Sequence, residues 1–152
     1  MLENSKHIII VGAGIAGLTT ALSLRHYGIR TSIYERSPEI ITAGAGIQLS
    51  PNANRVLSRI GVLKEISSVS IRCHGVKVFD YKSNRQLALF DYMKFKGNDF
   101  FYFCHRADLV GILYAACQKL EIPVYFNKKV EKIVNNKAIF SDGEALPAEL
   151  II

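Results

Sequence analysis

A chain of 152 residues can bury a real core, and 49% hydrophobic against 21% charged residues excludes a disordered tail. No apolar run approaches the roughly 18–20 residues that a membrane span requires. A formal net charge of +6 raises nucleic acid as a partner, yet basic residues mingle with acids, as where Lys128-Lys129 is soon followed by Glu131, so a solvated basic surface that attracts anionic cofactors is expected and no nucleic-acid partner.

Met1 to Lys6 carry no signal-peptide pattern and enter a strand directly, which points to a cytoplasmic address. Lys6 to Val11 is a β-branched run suited to a strand buried on both faces. Gly12-Ala13-Gly14-Ile15-Ala16-Gly17 follows at once. From Ile15 to Tyr27 apolar residues recur at helical spacing, and Gly28 ends that helix. Thr31 to Glu35 is the second strand, giving a right-handed strand–helix–strand unit. This order is what a dinucleotide pyrophosphate needs. Gly12 takes the tight turn, Gly14 lets the backbone approach the phosphates, and Gly17 lets the helix pack close to the strand. The unpaired N–H groups and positive end of the helix face the anion. Glu35 stands at the end of the second strand, where its carboxylate can accept hydrogen bonds from both adenosine ribose hydroxyls. That favours FAD or NAD over NADP, whose ribose is phosphorylated.

Ser37-Pro38 opens a loop that runs through Ala43-Gly44-Ala45-Gly46. Ser50 and Pro51 mark the start of a short helix from Asn52 to Ile60, stopped by Gly61, and Val62 to Ile66 adds another turn. From Gly75 the period changes to two, and Lys82-Ser83-Asn84-Arg85 is the polar turn of a hairpin that ends near Tyr92. Phe100 to Cys104 reads as an aromatic strand, Arg106 to Leu120 as a helix, and Ile122 to Phe126 as a strand. Lys129 to Val134 and Lys137 to Phe140 read as a hairpin across Asn135-Asn136, and Asp142-Gly143 as a further turn. Ala148 to Ile152 is an apolar run that stops without turn or cap. The chain therefore reads as the N-terminal piece of something longer, ending in an unpaired strand with an exposed edge.

Cys73, Cys104 and Cys117 are odd in number and lack CxxC spacing, so neither a disulfide framework nor a zinc knuckle is expected. Cys73-His74 and Cys104-His105 are neighbours in sequence. Neighbours in a strand face opposite ways, so no metal site is expected from them.

Four segments together resemble the FAD-dependent aromatic-ring monooxygenases, the group of para-hydroxybenzoate and salicylate hydroxylases. They are Gly12-Ala13-Gly14-Ile15-Ala16-Gly17-Leu18 with Ala21, then Tyr34-Glu35-Arg36, then Gly44-Ala45-Gly46-Ile47-Gln48-Leu49-Ser50-Pro51-Asn52-Ala53, then His105-Arg106-Ala107-Asp108-Leu109. The resemblance covers essentially the whole chain. It implies an α/β fold: a Rossmann-like FAD-binding domain, incomplete, with an inserted antiparallel β piece. Residues from about 75 to 104 would be the first part of the sheet that covers the substrate.

The resemblance further implies that Gly12 to Gly17 hold the FAD pyrophosphate and that Glu35 binds the ribose. Arg36 would lie beside the adenine half, and a loop around Gly46-Ile47-Gln48 would pass near the flavin. Arg106, at a helix N-terminus, would contact the pyrophosphate or ribityl chain, and Val130 would offer backbone contacts near the adenine. The implied activity is hydroxylation of a small aromatic substrate, with NADH or NADPH as electron donor and O₂ as co-substrate. The family's Gly-Ala-Asp-Gly turn, its later Gly-Asp segment and most of its substrate sheet have no counterpart here, so the C-terminal half is expected to be missing and no catalytic side chain is named. Two alternatives stay open: a truncated, non-catalytic FAD-binding fragment, and a Rossmann protein that uses NAD alone. The oligomeric state is also open.

Overall fold

The computed structural model describes residues 7–40, 44–94 and 100–152. Lys6, expected to open the first strand, and Ala43, in the expected loop, lie outside the described residues. The elements run β1 (Ile8–Val11), α1 (Ile15–His26), β2 (Thr31–Tyr34), β3 (Gly46–Leu49), α2 (Pro51–Arg59) and α3 (Leu63–Ser68). Then come β4 (Ile71–Cys73), β5 (Gly75–Phe79), β6 (Gln86–Asp91), a 3₁₀ turn (Tyr92–Lys94), β7 (Phe101–His105) and α4 (Arg106–Lys119). The last are β8 (Val124–Tyr125), β9 (Val130–Val134), β10 (Lys137–Phe140), β11 (Ala145–Pro147) and β12 (Leu150–Ile151). They divide into two compact units, one of residues up to Gly44 with those from Arg106 onward, the other Ala45–His105.

The first unit is built on a four-stranded parallel sheet in the order β12-β1-β2-β8. Ile8, Ile9, Ile10 and Ile33 are buried in its two central strands, where β-branched side chains suit the pleat. Helix α1 presents Leu18, Ala21 and Leu22 to the interior, and α4 presents Leu109, Leu113 and Cys117. The Cys117 thiol donates to the Leu18 carbonyl at 3.8 Å, and burial pushes its pKa up to about 12. Strands β9, β10 and β11 form an antiparallel sheet that lays Ala138 and Phe140 against Ile9 and Tyr34. A fully buried side chain such as Phe140 contributes about 1.5–3 kcal/mol.

The second unit holds a three-stranded sheet in the order β3-β7-β4 and a separate β5–β6 hairpin, all antiparallel. Gly75 lets that hairpin close, since a Cβ there would lie 2.4 Å from the Phe90 carbonyl oxygen. Ser50 occupies the N-cap of α2, but its hydroxyl makes no capping hydrogen bond.

The α/β fold with an antiparallel insertion is present, and four local expectations are corrected. The final run is not unpaired: β12 lies parallel to β1, and the Ile152 carbonyl accepts from the Val11 N–H at 2.8 Å. Gly46-Ile47-Gln48 is not a loop, because all of Gly46–Leu49 pairs with β7. Two short strands, β4 and β11, stand where no strand was expected.

Candidate functional site

The chain must reverse from β1 into α1 within three residues, and Gly12 does so at φ +101°, a region closed to most L residues. Its N–H donates to the Tyr34 carbonyl at 2.8 Å, tying the turn to β2. A Cβ on Gly17 would stand 2.0 Å from the Gly12 carbonyl oxygen, so only glycine allows α1 this close. Gly14 is different. Its φ of −80° suits any residue, and a Cβ there would meet nothing within 4 Å. The fold makes no demand for glycine at 14, and the space beside its backbone is open.

Gly14 is the N-cap of α1, with no side-chain cap and no acidic residue in the first turn. The first N–H groups of the helix, from Ile15, Ala16 and Gly17, and the positive end of its dipole are therefore available to an anion.

Glu35 follows β2, its backbone held between the Tyr125 carbonyl and the Lys128 N–H, each at 2.8 Å. One carboxylate oxygen accepts from the Ala13 N–H at 2.7 Å and the other from the Ser37 N–H at 2.9 Å. Burial raises its pKa, but these N–H groups, the Ser37 hydroxyl and the Arg36 charge outweigh burial and hold it below the ordinary value. A carboxylate offers about four acceptor positions, so these three donors leave room for a further hydrogen bond from a ligand's hydroxyl.

Two clefts meet at Glu35. One, of about 70 Å³, is lined by Ala13, Gly14, Glu35, Glu39, Arg106 and Val110 among others. The second, of about 280 Å³, is lined by Gly12, Tyr34, Glu35, Arg36, Lys128 and Val130 among others. Arg106 is the first residue of α4, and a Cβ on Gly44 would come within 3.1 Å of its side-chain carbons. The crevice thus gathers the Gly12–Gly17 turn, Glu35, Arg36, Arg106 and Val130 from distant parts of the chain. It lies over the C-terminal ends of β1 and β2, where open α/β sheets take ligands. Gly46, Ile47 and Gln48 belong to the second unit, on β3.

Sequence reasoning missed Lys128, Lys129, Glu39 and Val110 as lining residues. Val110 lies one turn after Arg106 on the same helix face, a spacing that could have found it. Lys128 bridges Asp142 at 2.5 Å and Glu144 at 2.6 Å, and these hydrogen bonds raise its pKa. The bridges fasten the turn after β10 beside the crevice. All three cysteines are free and buried, and among the described residues no three His, Cys, Asp or Glu side chains cluster to hold a metal. Among the described residues no helix is long and apolar enough to cross a membrane.

A family model described as an FAD binding domain matches residues 5–141. The chain is 31% identical to a 3-amino-4-hydroxybenzoate 2-monooxygenase of Streptomyces cremeus, over 100% of this chain and 40% of that protein. It is 32% identical to 3-hydroxybenzoate 6-hydroxylase 1 of Aquipseudomonas alcaligenes, over 97% of this chain and 39% of that one. The fold matches a crystal structure of 2-methyl-3-hydroxypyridine-5-carboxylic acid oxygenase with a TM-score of 0.87 at 24% identity, covering 97% of this chain and 39% of that one. The chain spans about two fifths of the length of the curated relatives it matches. A family model matched over most of the chain shows that the chain belongs to the FAD binding domain family.

Proposed function

We propose that this chain supplies the FAD cradle of a monooxygenase that hydroxylates a small aromatic ring, using NADH or NADPH and O₂. The observation that carries this reading is Gly14, a glycine with unstrained backbone and empty space where its Cβ would be, at the uncapped start of α1. The turn from Gly12 to Gly17 holds the pyrophosphate through the N–H groups of Ile15, Ala16 and Gly17, and Arg106 adds a guanidinium fork suited to its oxygens. Glu35 accepts from the ribose hydroxyls with its remaining acceptor capacity, while Arg36, Lys128 and the backbone at Val130 flank the adenine half. Gly46, Ile47 and Gln48 are assigned to the flavin side. When bound, FAD supplies the electron storage and oxygen chemistry, and the residues here bind and orient it. The β5–β6 hairpin exposes Phe79, Leu87, Leu89 and Phe90, which supports reading residues 75–104 as the first piece of a substrate-covering sheet. The cytoplasm, where nicotinamide donors are at hand, is the compartment this reading calls for.

A second reading concerns the 152 residues taken by themselves. The match to about two fifths of each relative favours cofactor binding without turnover.

Titration of the purified chain with FAD and with NAD, followed by flavin fluorescence, tests the proposal. FAD saturates at least tenfold more tightly than NAD. Gly14→Val, which fills the empty space, weakens FAD about 100-fold, or roughly 2.7 kcal/mol, while far-UV circular dichroism is unchanged. With FAD, NADH or NADPH and a panel of aromatic acids, mass spectrometry finds no hydroxylated product from this chain alone. Tight NAD binding without FAD binding overturns the flavin reading, and product overturns the second.

A further inference from the structure

Lys128 lines the larger cleft together with Glu35, and its backbone N–H donates to the Glu35 carbonyl at 2.8 Å. Backbones joined in this way stand roughly 5 Å apart, a gap that a flexible lysine stem crosses. The carboxylate next door is thus the partner to expect for this ammonium.

The ammonium is held elsewhere. It donates to Asp142 at 2.5 Å and to Glu144 at 2.6 Å, two acids of the turn after β10 that do not line the crevice. Among the described residues Arg36 is the one charged group that acts on the pKa of Glu35, and Lys128 is not. The turn is built to present both acids. Asp142 also accepts from the Glu144 N–H at 3.0 Å, and the Glu144 carbonyl accepts from the Phe140 N–H at 2.9 Å. Lys129, the next cation on the cleft, is drawn to an acid of its own, Glu131, at 3.7 Å. Ion pairs as exposed as these add little to stability. What they change is the position of a charge.

We propose that Asp142 and Glu144 are positioning residues for the cofactor: they hold the Lys128 ammonium away from Glu35 and so keep its carboxylate open to the adenosine ribose. The inference rests on the FAD site proposed above. A free ammonium beside Glu35 competes with the ribose hydroxyls for the same acceptor oxygens.

The test combines Asp142→Asn with Glu144→Gln, which removes both charges and leaves an oxygen at position 142 for the Glu144 N–H. FAD affinity, read by flavin fluorescence, falls about fivefold or more in this double variant, with far-UV circular dichroism unchanged. Adding Lys128→Met cancels the effect, so the triple variant binds FAD within about twofold of Lys128→Met alone. Acids that merely hold the turn together give the opposite result, the same loss with or without Lys128. A second readout needs no cofactor. Carbon-13 NMR of the Glu35 carboxyl in the FAD-free chain shows its pKa lowered further in the double variant, as the ammonium pairs with it, and returned in the triple variant to the Lys128→Met value. An FAD affinity or a Glu35 pKa that the double variant leaves unchanged overturns the proposal, and so does a loss that persists in the triple variant. A parent chain that binds no FAD overturns the cofactor reading instead, and the Glu35 titration then decides by itself whether the two acids restrain the ammonium.

Discussion

At Glu35 one side chain serves the fold before it serves a ligand. Its two N–H partners pin the glycine turn to the end of β2, and hydrogen bonds to a charged acceptor contribute about 1.5–3 kcal/mol each at the upper end. Glu35→Gln keeps the shape but turns an N–H donor toward one of those N–H groups. It is expected to cost about 1–2 kcal/mol at pH 7 in urea unfolding. Because the folded pKa is lowered, the stabilising contribution is fully present above the ordinary value of 4.5 and is lost as pH falls through the folded value. The gap between parent and variant therefore narrows at pH 3, and an equal gap at pH 3 and pH 7 would rule out a charge-dependent role. Gly12, Gly14, Gly17 and Glu35 were legible in the sequence because each answers one local demand. Lys128 was not. Its place beside Glu35 depends on the chain returning from β8, and nothing within a few residues of it records that return.

The helix ends of the first unit show how the same turn is closed with different residues. After α1, the N–H of Gly28 at φ +74° donates to the Arg25 carbonyl, and the Ile29 N–H donates to that of Leu24. After α4 the same pair of bonds runs from Glu121 to Gln118 and from Ile122 to Cys117, but the left-handed position holds a glutamate. Relief of that strain makes Glu121→Gly stabilising by about 0.5–1 kcal/mol, after the entropy glycine restores to the unfolded chain. A melting temperature raised by about 1–4 °C in calorimetry is the expected sign, and a fall would show that the glutamate side chain holds the turn. The β9–β10 hairpin was readable because Asn135 and Asn136 suit the two left-handed positions they occupy, at φ +50° and +56°. Strands β4 and β11 were not, since three residues give too short a period to detect and their pairing partners lie elsewhere in the chain.

Across the whole molecule, burial is unevenly shared. Ile9, Leu18, Ile33 and Leu113 in the first unit are fully buried, whereas β5 and β6 contain no buried residue. A two-stranded ribbon without a covered face opens at little cost. Hydrogen exchange is thus expected to be slowest in β1, β2 and the buried face of α1, and fastest in β5 and β6. Comparable protection in the hairpin would mean that its apolar face is covered in solution. The alternation of parallel and antiparallel segments was visible from the change of apolar period near Gly75. The long-range partners were not visible: nothing local to Leu150 says that its neighbour is Ile8.

That pairing has a consequence for biosynthesis. A chain leaving the ribosome exposes Ala45–His105 as an unbroken stretch, free to condense as soon as it emerges. The unit that carries the glycine turn is written in two instalments, and its sheet waits for β8 and β12. Closing so wide a loop costs more entropy than joining β1 to β2, although the increase is only logarithmic. Until Lys128 and Val130 have been translated, one wall of the second cleft does not exist. If that cleft takes the adenine half as proposed, cofactor capture is a late event in the life of the nascent chain, after the inserted segment has had time to fold.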